Sequence, residues 1–195
     1  MRVTIFDYGA GNLHSLAKAL ARPGFDILVE TDPAAAISTD ALVLPGVGAF
    51  SGAAQRIRPA RAVMRNAIVA GLPTIGICLG MQLLFESSEE GPGEGLGIFA
   101  GRVSALRARR SPQMGWNSVE ASPPASVSLN VAYYANGFVC RPDDESIVAA
   151  WSTHERDRFP AVVRQGRVLG AQFHPEKSST AGVGWLQAML EEITR

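Results

Sequence analysis

A chain of 195 residues, 47% of them hydrophobic, can bury a full core as one domain spanning residues 1–195. Lys plus Arg and Asp plus Glu both number 18, so no net charge draws the chain to nucleic acid or to an anionic membrane. Its two cysteines, Cys78 and Cys140, form no Cys-x-x-Cys pair, which argues against a disulfide framework and suits a reducing cytoplasm. The opening apolar run meets Asp7 too early for a signal peptide, and Gly71, Pro73, Gly76 and Gly80 break the longest apolar stretch.

The first half alternates short apolar runs with helical patterns. Residues 2–6, 26–29, 41–44 and 73–77 read as parallel strands buried on both faces. Between them, residues 12–21 carry an apolar stripe of Leu13, Leu16, Ala17 and Leu20, and a second helical stretch lies within 50–70. A helix is expected from Leu79 on, continuing over 81–87. The second half is richer in strands, at 101–106, 117–120, 131–134, 147–151, 161–163 and 168–173, with a last helix over about 181–193. Residues 87–95 and 121–124 read as loops. The pattern predicts an α/β fold, a three-layer sandwich around a central mixed, mostly parallel sheet.

Two glycine-rich turns follow early strands. Gly9-Ala10-Gly11 lacks the third glycine of a dinucleotide fingerprint, because His14 stands there, and no Gly-Lys-Ser/Thr follows either turn. Nucleotide binding is not expected. The Gly46-Val47-Gly48 loop has little side-chain bulk, so it can serve either as a plain strand-to-helix turn or as a backbone N–H donor to a developing oxyanion.

The most informative segment is Gly76-Ile77-Cys78-Leu79-Gly80-Met81-Gln82. It sets a thiol at the bend between a buried strand and a helix, where the helix N-terminus favours negative charge on sulfur. This is the cysteine version of a nucleophile elbow. A second segment, Gln172-Phe173-His174-Pro175-Glu176, follows a strand. Pro175 blocks helical continuation, His174 can take and return a proton, and Glu176 can orient the imidazole. Alone, each segment is also compatible with ordinary packing; together they point to a Cys–His–Glu relay. Cys140 is assigned no role.

These two segments resemble the class I (triad) glutamine amidotransferases. With Tyr8-Gly9-Ala10-Gly11-Asn12, Pro45-Gly46-Val47-Gly48-Ala49-Phe50, Met114-Gly115-Trp116-Asn117 and Lys177-Ser178, the chain is most similar to the glutaminase subunits of imidazole glycerol phosphate synthases. Several other triad amidotransferases carry Pro-Gly-Gly where Pro45-Gly46-Val47-Gly48 stands here. The resemblance implies a flavodoxin-like sandwich and hydrolysis of glutamine through a thioester on Cys78, with His174 and Glu176 completing the triad. It implies oxyanion donors at Val47 or Gly48 and at Leu79. It places Gly46, Gln82, Glu90, Asn136, Gly137 and Phe138 around the substrate, with Glu90 on the α-ammonium. It implies no metal and no cofactor. It also implies a cytoplasmic heterodimer with a (β/α)8-barrel cyclase, which receives ammonia and makes imidazole glycerol phosphate and AICAR in histidine biosynthesis. Asn12, Trp116 and Lys177 sit in motifs resembling the docking surface. Two positions depart from the family pattern: Asn136-Gly137 replaces His-Ser or His-Thr, and Gln113 replaces a common His. A glutaminase of another pathway and a non-catalytic scaffold subunit are the alternatives.

Overall fold

The computed structural model describes residues 1–122 and 129–195. The expected loop at 121–124 therefore falls partly outside the described residues. The chain begins β1 (Arg2–Phe6), α1 (Leu13–Leu20), β2 (Asp26–Glu30), α2 (Pro33–Ile37), β3 (Ala41–Leu44), α3 (Phe50–Ile57), α4 (Arg61–Val69), β4 (Thr74–Ile77) and α5 (Leu79–Leu83). It continues through β5 (Ser87–Ser88), β6 (Gly101–Ala105), β7 (Gln113–Ser118), β8 (Glu120–Ala121), β9 (Val131–Asn136) and β10 (Phe138–Pro142). It ends with β11 (Val148–His154), β12 (Asp157–Gln165), β13 (Val168–Ala171) and α6 (Ser179–Thr194).

Among the described residues the main sheet has eight strands in the order β2-β1-β3-β4-β13-β12-β11-β8. β2, β1, β3, β4 and β13 run parallel, whereas β12, β11 and β8 join antiparallel, giving a mixed and mostly parallel sheet. A three-stranded sheet, β10-β6-β5, and a two-stranded ribbon, β7-β9, accompany it. Alternate residues of the buried strands feed opposite faces. Val3, Ile5, Val43, Ile75, Ile77 and Leu169 pack with α1 and α6. Leu42, Leu44, Val163 and Val168 pack with α2, α3, α4 and α5 on the other side. Helices cover both faces, which gives the three layers. No described helix is long and apolar enough to cross a membrane.

The departures from the expected elements have local causes. The helical stretch within 50–70 splits in two because Pro59 has no N–H to continue α3. The nucleophile helix ends at Leu83 rather than running to 87. Leu84 and Phe85 tighten to i→i−3 bonds on Met81 and Gln82, and Ser87–Ser88 pairs with β6 instead. Helix α2, not foreseen, starts at an N-cap: Asp32 accepts from Ala34 N–H at 3.2 Å and Ala35 N–H at 3.4 Å, with Pro33 in the first turn. β12 is longer than the expected 161–163 because it pairs along both β11 and β13. The strand foreseen at 117–120 instead divides between β7 and β8, and β10 was not foreseen at all.

Candidate active site

The site is built where two neighbouring parallel strands end. β4 and β13 are in register with Ile77 opposite Ala171, so Cys78 and Gln172 leave the sheet side by side. The ladder runs one bond further, from Cys78 N–H to Ala171 carbonyl at 2.7 Å. Gln172 then donates from Nε2 to Cys78 Sγ at 3.6 Å, and the buried His174 follows two residues on. Ligands that bind open α/β sheets do so beyond the carboxyl ends of strands, and Cys78 sits there.

Cys78 is held at φ +50°, a left-handed conformation that an L residue adopts at a cost of about 1–3 kcal/mol. The bend is enforced by close approach. A Cβ on Gly80 would run into the Leu44 carbonyl at the end of β3, and one on Gly46 would run into Leu79 and Gly80. Nucleophile turn and glycine loop therefore touch through main-chain atoms.

His174 Nδ1 lies 2.9 Å from Glu176 Oε1, and both side chains are almost wholly buried. Nε2 is buried without a partner in hydrogen-bond geometry, as is Glu176 Oε2. Burial by itself pulls the imidazole pKa down, but the adjoining Cys78 and Glu176 outweigh it and raise the pKa to about 9. At neutral pH His174 therefore carries a proton it can give to a departing amine. The His174 main chain is pinned as well. Its N–H donates to the Tyr133 carbonyl of β9 at 2.8 Å, and its carbonyl accepts from Ser178 Oγ–H at 2.7 Å. Tyr133 N–H in turn donates to Ser178 Oγ at 2.9 Å.

Above Cys78 opens a cavity of about 90 Å³, whose wall includes Val47, Gly48, Leu79, Gln82 and Glu90. Asn136, Gly137 and Phe138 close its other side. Gln82 and Asn136 each donate a side-chain N–H to the Phe138 carbonyl, at 3.2 and 3.1 Å. Glu90 accepts from Phe50 N–H at 2.6 Å, so one of its oxygens also caps α3. Its neighbour Glu89 faces Arg102 at 3.7 Å and takes no part in the cavity. Gly46 does not line this cavity. It backs onto Leu79 and lines a small cleft with Asn12 and Glu176. The two departures noted in the sequence, Gln113 and Asn136, are cross-strand partners, each buried with its carbonyl oxygen unpartnered.

Of the three residues expected at a docking surface, Trp116 is 57% exposed and meets Tyr133 edge-on at 6.2 Å between ring centroids. Lys177 is exposed with Nζ 6.0 Å from the centre of the same ring. Asn12 is exposed and caps α1 by accepting from Ser15 N–H at 3.1 Å. Among the described residues no cluster of three His, Cys, Asp or Glu side chains could hold a metal ion. Burial, then the neighbouring Cys78, raises the Cys140 thiol pKa, against a weaker pull down from Arg141.

Two contributors were not singled out from sequence. Gln172 touches the sulfur, and its position two residues before His174 on an extended segment was the signal. Tyr8, buried, donates its hydroxyl to the Pro45 carbonyl and steadies the glycine loop; burial, then Cys78, raises its pKa far above the usual phenol range. Nothing in the sequence marked it beyond its motif.

Comparison with known proteins agrees with this geometry. The family model for class-I glutamine amidotransferases matches residues 4–191. The imidazole glycerol phosphate synthase subunit HisH of Synechococcus sp. (strain JA-3-3Ab) is 40% identical over 207 residues, covering 100% of this chain and 95% of that protein. The HisH subunit of Symbiobacterium thermophilum is 44% identical over 194 residues, covering 95% and 91%. A solved glutamine amidotransferase superposes with a TM-score of 0.79 at 22% identity, covering 98% of each chain. The chain thus belongs to the class-I glutamine amidotransferase family, on the branch of the HisH subunits of imidazole glycerol phosphate synthase.

Proposed function

We propose that the protein hydrolyses glutamine to glutamate and ammonia and hands the ammonia to the cyclase subunit of imidazole glycerol phosphate synthase. The observation that carries the reading is that Cys78 and His174 follow adjacent parallel strands, close enough for Cys78 to raise the imidazole pKa, with Glu176 on Nδ1. Cys78 Sγ attacks the side-chain carbonyl carbon of glutamine, and His174 gives its proton to the departing ammonia. A water activated by His174 then cleaves the thioester and releases glutamate. Glu176 holds the ring with Nε2 toward the sulfur. Main-chain N–H groups at Val47 or Gly48 and at Leu79 stabilise the oxyanion, an effect worth about 3–4 kcal/mol per donor. Gln82, Glu90, Asn136, Gly137 and Phe138 hold the amino-acid end of glutamine, with Gly46 supporting the wall from behind. No cofactor enters the chemistry.

In this reading the partner is a (β/α)8 barrel that forms a cytoplasmic heterodimer with this chain and makes imidazole glycerol phosphate and AICAR. Asn12, Trp116 and Lys177 face it. The intact relay, with the imidazole already held in place by Glu176, favours turnover over a scaffold role.

Cys78→Ala tests the assignment. Glutamine-dependent activity of the complex should fall by about 10³-fold or more, while the cyclase still works with added ammonium salt. Retention of glutamine-dependent activity would remove Cys78 as nucleophile.

A further inference from the structure

A wide hollow lies away from the thiol. It measures about 820 Å³, within the ordinary range for small-molecule sites, and lies between residues 107–110, which follow β6, and the turn joining β11 to β12. Arg107, Arg109, Arg110 and Arg156 line it, with His154 and Glu155. The chain as a whole is neutral, so this concentration of cations is local.

The nearby carboxylates form no ion pair with these four guanidiniums, although Glu155 leaves its own negative charge in the hollow. Glu155, held at φ +54°, spends both oxygens on main-chain N–H groups, accepting from Arg109 at 2.8 Å and Arg110 at 3.1 Å. Asp157 accepts from Arg107 N–H at 2.8 Å and from the Arg141 guanidinium at 2.8 and 2.6 Å. The His154 ring bonds to the Arg110 carbonyl at 2.9 Å through Nε2. These bonds clip the two walls together and fix their backbones. None of the four lining guanidiniums has an ion-pair partner among the described residues. The result is a hollow with fixed walls in which four exposed arginines outnumber the one lining carboxylate, an excess of forked donors that suits an anion from outside. Two arginines per group suit a phosphate. No Phe, Tyr or Trp side chain lines the hollow.

We propose that this hollow binds a small molecule carrying two phosphate groups. The test is calorimetric titration of the full chain at about 0.15 M salt with pyrophosphate, a hexose bisphosphate and orthophosphate. At least one of the two-phosphate probes should bind saturably at one site, about tenfold or more tighter than orthophosphate. The tighter of the two gives the phosphate spacing. Arg109→Ala with Arg156→Ala should weaken that binding about 100-fold, whereas Arg58→Ala, at a distant exposed arginine, should leave it unchanged. Glutamine turnover in the complex should be the same for all three proteins. The proposal is overturned by absence of saturable binding, by equal affinity for orthophosphate, or by equal loss in Arg58→Ala. It is also overturned if the double variant loses cyclase affinity while neither two-phosphate probe binds, an outcome that assigns the cations to a protein contact.

Discussion

The strand ends at β4–β13 and the ribbon β7–β9 use polar and aromatic side chains in opposite ways. At β4–β13, Cys78, Gln172 and His174 are buried, and each is fixed by a main-chain or side-chain hydrogen bond. On the ribbon, Met114, Trp116 and Val131 stand exposed on its outer side, while Ala132, Tyr134 and Asn136 are buried on its inner side. The contrast suits the two tasks of the proposed function. Chemistry needs groups whose positions are over-determined, and recognition needs apolar surface that burial has not yet used.

The largest effect expected of a substitution that tests this contrast falls on the rigid region. Gly80→Ala forces a methyl group against the Leu44 carbonyl and should cost about 3 kcal/mol or more in chemical denaturation. Gly184→Ala, at an exposed position of α6 with nothing near its Cβ, should instead stabilise by about 0.5–1 kcal/mol. Similar costs at the two positions would show that the elbow is not tightly packed.

The electrostatics of the same region give a pH test. The folded-state pKa of His174 is raised to about 9 from the ordinary imidazole value, so its contribution is fully present below that ordinary value and is lost as pH rises through 9. Relative to His174→Gln, the wild-type chain should lose stability across that window by an amount on the order of 3 kcal/mol. Denaturation midpoints measured across the window check this. A constant difference between the two proteins would mean that the imidazole is not held as a cation.

On the ribbon the expectation reverses: folding is untouched and association suffers. Trp116→Ala should weaken cyclase binding by about 2 kcal/mol with no change in unfolding midpoint. Lys177→Glu should weaken it by about 1 kcal/mol, and more at low salt. Loss of stability in Trp116→Ala without loss of affinity would make the indole a prop for Tyr133 rather than a docking group.

Much of this could be read from the amino-acid order, because the parallel strands are continuous apolar runs and the elbow's glycines mark a close approach. The meeting of Cys78 with His174 was foreseen only through pairing of motifs; what brings it about is the adjacency of β4 and β13, a long-range choice that no local window contains. The same reason hid β10, whose partner β6 lies well upstream along the chain, beyond β7, β8 and β9. Helix α2 was missed although Asp32-Pro33 signals a start, since five residues are too few for a helical period to register. Pairing also joined Gln113 to Asn136, two oddities that had no visible connection in the sequence.

Tyr133 belongs to both regions at once. Its peptide is tied to His174 and Ser178, while its ring lies between Trp116 and Lys177 at the surface. A group that settled on that ring would touch the residue whose carbonyl holds the His174 main-chain N–H, so a single tyrosine adjoins both the outer surface and the backbone that carries the imidazole.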